Sequence, residues 1–377
     1  MRRSGLVLAA AAVMLFIAAG SAAAAPTDLW LEYGTSLNGD VIQPSTSNMA
    51  TMRAALNAAT QPNTVPFWQS SFSYQGARYP FQMLGSNPSA GRQTTVVPTV
   101  VIPIDLTFHD VRNGVSANLN GSSIAAAEAS SPLFNAVTFA ATGDVTQYGD
   151  AVQRAEFAGV LGSPTAYHVL LGQPTIMPTA HIDVPASKGF VYDPIGDGVS
   201  RGEITDGIWW RAQRHNLIDT YGVTPNQLVI MLTKDTAVGL ALGFHGARLN
   251  GNHIQTYIWD SWVSPRLAVP LGLPPDFALD TLSLGHEIAE WQNDPFVDNV
   301  TPAWSFSVPP VFTNQCSNLL EVGDPLELTE FPVTLGGNTY HLQDIAFLPW
   351  FAREATSTAY NGRYSFTGTL ETFSTPC

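Results

Sequence analysis

The chain has 377 residues, 16 basic against 30 acidic side chains and a formal net charge of −14. A hydrophobic content of 45% is that of a globular protein and excludes a disordered one. The acidic balance, with Lys188 and Lys234 the only lysines, excludes nucleic acid as a partner, because phosphate binding requires clustered Lys or Arg.

Arg2 and Arg3 precede an apolar stretch over residues 5–19 and a run of small residues over 21–25, and Pro26 opens the mature chain. This is the pattern of a secretory signal peptide over residues 1–25. It is too short for a membrane anchor, which needs about 20 apolar residues, and no other stretch is apolar enough to span a bilayer. The expected product is secreted and extracellular, with no membrane attachment once the signal is removed. Cys316 and Cys377 are the only cysteines. In an oxidising compartment the simplest reading is one disulfide that ties the C-terminus back to the chain, and two cysteines alone cannot make a structural zinc site.

Residues 26–95 are rich in Ser, Asn, Gln and Pro, with one short helix predicted over 47–59. They read as an N-terminal extended arm with little core of its own, which either wraps the main domain or acts as a pro-segment. The main domain, 96–377, opens on a β-branched run over 95–108, predicted as a buried strand whose prolines lie at its ends or at a sheet edge. A helix is expected over 150–160, short strands over 168–171 and 176–184, and a helix over 204–221, where Ile208, Trp209, Ala212, Leu217 and Ile218 keep helical spacing after Asp206. Residues 228–232 read as a short buried strand, Gly243 to Ala247 as a turn, and 254–259 as a strand. Residues 276–291 form the best helical pattern of the chain. Pro274 and Pro275 precede it, Asp276 or Asp280 offers a cap, and Pro295 prevents continuation. A long loop with five prolines from Pro295 to Pro325 carries Cys316, and the tail from 340 alternates short strands and turns. The alternation predicts an α/β or α+β fold, a mixed sheet flanked by helices.

The last helix carries the chemistry. Residues four apart share a helix face, so His286 and Glu290 can hold one ion, while Glu287 lies at the edge of that face. This is the geometry of a zincin helix, in which two ligands flank a glutamate general base. Where the usual helix has a second histidine, this one has Glu290. A carboxylate is a legitimate zinc ligand, but it leaves the ion less positive and admits calcium or manganese beside zinc. The flanking Leu282, Leu284, Ile288, Ala289 and Trp291 place the charges in or beside a core, where they demand partners or a metal. Glu321 and Asp324, about thirty residues downstream, are the candidates for the third ligand. Asp294 is placed to bind a second ion or to cap the loop after the helix, and His245, in a glycine-rich segment, is a secondary candidate. No Gly-x-Ser-x-Gly elbow and no phosphate loop is present, which argues against a serine hydrolase and a nucleotide-binding protein.

Gly243-Phe244-His245, Tyr257-Ile258-Trp259, the block from Gly285 to Glu290, Asn293-Asp294-Pro295 and Glu321-Val322-Gly323-Asp324 follow one another in an order that resembles the phosphate-induced (exordium-like) secreted proteins of plants and their bacterial relatives. The resemblance covers residues 225–350. It implies an extracellular or wall-associated protein with a zincin-like His-Glu-x-x-Glu helix, and His286, Glu287, Glu290 and Glu321 match the family's acidic signature. Pro325 and Leu326 stand where the family often has a cysteine after the aspartate, so its disulfide pattern does not carry over. Two functions follow as expectations. One is a secreted metal-dependent hydrolase of the zinc metallopeptidase kind, with Glu287 as general base and a peptide as substrate. The other is a non-catalytic extracellular protein with a structural or vestigial ion, its aromatic residues binding a cell-wall polymer.

Overall fold

The computed structural model describes residues 28–377 apart from 36–40, 162–165, 311 and 371–376. The predicted signal peptide lies outside the described residues.

The N-terminal segment supplies a strand β1 (Leu29–Glu32), a helix α1 (Thr46–Leu56) capped by Ser45, and a hairpin of β2 (Phe67–Tyr74) and β3 (Ala77–Leu84). The main sheet is built from β4 (Thr99–Phe108), β5 (Ala180–Val184), β6 (Leu228–Lys234), β7 (Gly243–Asn250) and β8 (His253–Trp262), together with β1. Its order is β1-β7-β8-β6-β4, and β5 also pairs with β4. β5, β4, β6 and β8 run parallel, whereas β7 is antiparallel to both β8 and β1. The fold is thus a mixed sheet with helices against it, as predicted.

Side-chain alternation sorts the core into two layers. Leu228, Ile230 and Leu232 of β6 face one way, with Val101, Ile254 and Ile258, and pack with Leu284, Ile288 and Ala289 of α4 (Leu282–Asn293). Val229 and Met231 face the other way, with Ile102, Ile104, Tyr257 and Trp259, and pack with Trp210, Leu217 and Ile218 of α3 (Gly207–Tyr221), whose N-cap is Asp206. α2 (Tyr148–Glu156) lies beside α4. Met52, Leu56, Met83 and Leu84 belong to the same layer as α4. The N-terminal arm therefore shares the core of the main domain and adds an edge strand to its sheet.

Four expectations change. The β-branched run breaks at Pro98: Thr94–Val97 pairs with His168–Leu171, and β4 occupies the sheet interior. Pro103 lies within β4, at the residue where pairing with β6 ends, so its missing N–H falls at the end of that ladder. The expected turn at Gly243 to Ala247 is the start of β7. Its glycines serve close approach: a Cβ on Gly246 would lie 2.6 Å from the Tyr257 hydroxyl and 2.9 Å from the Leu31 carbonyl oxygen. The helix starts at Leu282, six residues later than expected, because Asp280 is bridged to Val263 and holds a positive φ of 45°. Finally, the proline-rich loop is mostly a hairpin, β9 (Val300–Val308) and β10 (Phe312–Leu319). Pro302 sits where the register shifts between Val300 and Trp304, and Pro309 and Pro310 make the connection, so the prolines mark an irregular hairpin.

The disulfide joins Cys316 of β10 to Cys377, with the two Cα atoms 5.9 Å apart. It accords with an oxidising compartment. Among the described residues no helix is long and apolar enough to cross a membrane. All nine tryptophans are buried or half-buried.

Glu156 at the end of α2 accepts the Leu348 N–H deep in the core. Burial pushes its carboxyl up to about 8, against 4.5 in water. The unfolded chain releases this proton near 4.5 and the folded protein keeps it to about 8, so stability falls as pH rises across that window. Glu156→Gln should remove that dependence. In thermal melts at pH 5 and pH 8 the variant is expected to gain on the wild type by up to a few kcal/mol at the higher pH; a difference that stays constant with pH contradicts this reading.

Candidate metal centre

Every residue of α4 is buried, including His286, Glu287 and Glu290. One face of the helix meets β7 and β8, and the chain after β10 crosses another as residues 320–327. That crossing is anchored to the helix directly, since the Gly323 N–H donates to Glu290 Oε1 at 3.1 Å. Glu321 and Asp324 both fold back onto α4, but to different histidines.

His286 Nε2 stands 3.1 Å from Glu290 Oε1 and 3.7 Å from Asp324 Oδ1. Donors held about 2.0–2.1 Å from a tetrahedral ion are separated from one another by roughly 3.4 Å, so this spacing suits a shared ion. Glu321 meets His245 instead. His245 Nδ1 lies 3.6 Å from Glu290 Oε2, and its Nε2 lies 3.9 Å from Glu321 Oε2. Two triads able to hold a metal result, His286–Glu290–Asp324 and His245–Glu290–Glu321, and in each the ligand atoms lie within 4.8 Å of one another. The set His286, Glu290 and Glu321 suggested by the sequence is thus divided between two histidines.

The histidine tautomers follow from their outer partners. The Gly323 carbonyl can only accept, so Gln343 turns its amide nitrogen to it and its Oε1 to His286 Nδ1, at 2.9 Å. His286 therefore carries a proton on Nδ1 and turns Nε2 toward Glu290 and Asp324. An imidazole oriented by a second hydrogen bond is the usual support of a metal-ligating histidine. His245 has the same arrangement, its Nε2 being 3.2 Å from the Asp294 carbonyl oxygen. Asp294 does not enter either triad. Its carboxylate accepts from the backbone N–H groups of Asp298 and Asn299, both at 3.0 Å, and so caps the loop after the helix.

The electrostatics are those of a crowded, buried site. Burial works against a charge on His286, but Glu290, Glu327 and Glu287 outweigh it and hold its pKa well above the ordinary value. Burial also opposes the charge on Glu290, and His286 overcomes it, leaving this carboxyl below its ordinary range. Glu321 and Asp324 are pushed well up, by burial first and then by Glu290. Asp294 is raised to about 7 by burial and by Asp298. Asp298 is raised to about 6 by burial, opposed by Arg53 of α1, whose Nε lies 3.1 Å away.

His286, Glu287, Glu290 and Asp324 line a cavity of about 170 Å³, together with Tyr33, Glu327, Gln343 and apolar side chains that include Leu273, Phe277 and Phe306. Tyr33 donates to Asp324 Oδ2 at 2.8 Å. Sequence reasoning missed Gln343, Tyr33 and Glu327. Glu327 had a signal, three residues after Asp324 in an acidic stretch; Gln343 and Tyr33 had none, because only the tertiary fold brings them to the helix.

Two residues test this support. A Cβ on Gly323 would lie 2.4 Å from His286 Nδ1, so Gly323→Ala must displace the imidazole. Gln343→Leu removes the acceptor that fixes the tautomer. Each is expected to weaken zinc binding by about 10–100-fold while the protein stays folded, as read by zinc titration beside circular dichroism. Unchanged affinity in both variants would remove His286 from the ligand set.

No protein-family model, no curated protein and no solved structure matches the chain.

Proposed function

We propose that the protein is a secreted, metal-dependent hydrolase of the zinc metallopeptidase kind. One observation carries the reading. His286 and Glu290, one turn apart on a buried helix, meet Asp324 at a cavity that Glu287 also lines. A histidine in the set favours zinc over calcium, which takes oxygen donors. When bound, zinc would polarise a substrate carbonyl and acidify water.

The chain's own residues supply the rest. His286, Glu290 and Asp324 are the ligands, with Gln343 and Tyr33 fixing two of them. Glu287 is the general base: it takes a proton from the attacking water and returns it to the leaving amine nitrogen. Burial raises its carboxyl above the ordinary 4.5, the direction that suits a general base. Leu273, Phe277 and Phe306 offer an apolar wall for a substrate side chain. The signal-like N-terminus and the disulfide support secretion. Placement among the exordium-like proteins rests on the ordered blocks of residues 225–350.

The test is Glu287→Gln, assayed on a peptide library beside metal analysis. The variant is expected to keep its zinc and to lose about 10²–10⁴-fold in hydrolysis rate. In the wild type the rate should climb with pH as Glu287 loses its proton. Wild-type protein that folds without metal and cleaves no peptide contradicts the proposal.

A further inference from the structure

The hydrolase reading uses one of the two triads. The other is His245–Glu290–Glu321, of which Glu290 lines the cavity and His245 and Glu321 do not. His245 is 1% exposed and Glu321 0%.

Three features of this inner triad converge. Glu321 is fully buried, yet neither of its carboxylate oxygens has a hydrogen-bond partner among the described residues. A buried carboxylate left without donors is costly unless a proton or a cation neutralises it. Next, Nε2 of His245 donates to the Asp294 carbonyl, which leaves Nδ1 to face Glu287 Oε2 at 3.4 Å and Glu290 Oε2 at 3.6 Å. A ring nitrogen set against two carboxylate oxygens calls for a positive charge between them, a proton or a metal ion. Last, the two oxygens of Glu290 diverge, Oε1 toward His286 and Oε2 toward His245. A carboxylate so placed can bridge two ions, and such pairs stand about 3.5–4 Å apart.

We infer that the protein holds a second divalent cation, of the zinc or manganese class, on His245, Glu290 and Glu321, with Glu290 shared between the two sites. The inference rests on the metal reading of the outer site. An outer ion on His286, Glu290 and Asp324 would border the cavity, where a substrate could reach it. The inner ion is enclosed by protein, as structural ions are. It joins β7, α4 and the chain after β10, and it explains why His245 and Glu321 are buried together.

Zinc content measured by mass spectrometry on the zinc-saturated, secreted full chain separates the two sites. The wild type should hold two equivalents, Glu321→Gln one, and Asp324→Asn one. Anomalous diffraction at the zinc edge should show two peaks, one beside His245 and one beside His286. One equivalent in both the wild type and Glu321→Gln overturns the inner site and leaves the outer one standing. No zinc in the saturated wild type overturns both. If Glu321→Gln does not fold, the wild-type map decides: two peaks support the inference, and a single peak beside His286 overturns it.

Discussion

Six carboxylates, those of Glu287, Glu290, Asp294, Asp298, Glu321 and Asp324, are buried around the C-terminal half of α4. Among the described residues, the cationic partners that reach them are His245, His286 and Arg53. The C-terminal end of a helix carries partial negative charge of its own, which adds to the excess. Charges of one sign in a medium of low dielectric repel strongly, so the arrangement persists only if protons or metal ions neutralise part of it. The raised pKa values of Glu321, Asp324, Asp294 and Asp298 express the proton solution. The orientation of the two histidine rings by outer hydrogen bonds, and ligand spacings near those of a tetrahedral ion, express the metal one.

Much of the fold serves to hold this charge in place. β7 brings His245 under the helix, and it can approach so closely because Gly243 has no side chain: a Cβ there would lie 2.9 Å from Glu287 Cγ. Gly323 does the same for the crossing chain against His286. The N-terminal arm contributes Tyr33 to Asp324 and Arg53 to Asp298. Removal of the arm as a pro-segment would strip both partners from the site as well as an edge strand from the sheet.

The sequence made the helix legible because its pattern is local. His286, Glu287 and Glu290 lie within five residues, and the apolar neighbours announce burial. Glu321 and Asp324 were legible as partners for the same reason, a short acidic stretch at a suitable distance. Which histidine each would meet was not legible, since that depends on β7 lying beneath α4. The glycines around His245 read as a turn because glycine is ambiguous between a turn and a close backbone approach, and only the neighbouring strands decide. The prolines of β9 misled in a related way, by marking a bulge and a connection within a hairpin. Gln343 was out of reach altogether: a glutamine in a short strand carries no mark of the imidazole it orients.

If metal neutralises the buried carboxylates, stability must depend on it. The decisive measurement is the melting temperature of the purified protein at pH 7.5, before and after a strong chelator and again after zinc is restored. A large fall on chelation, reversed by zinc, is expected, because ligands that bind only the folded state stabilise it. A melting temperature indifferent to both chelator and zinc would show that protons alone hold the cluster, and that no metal centre exists.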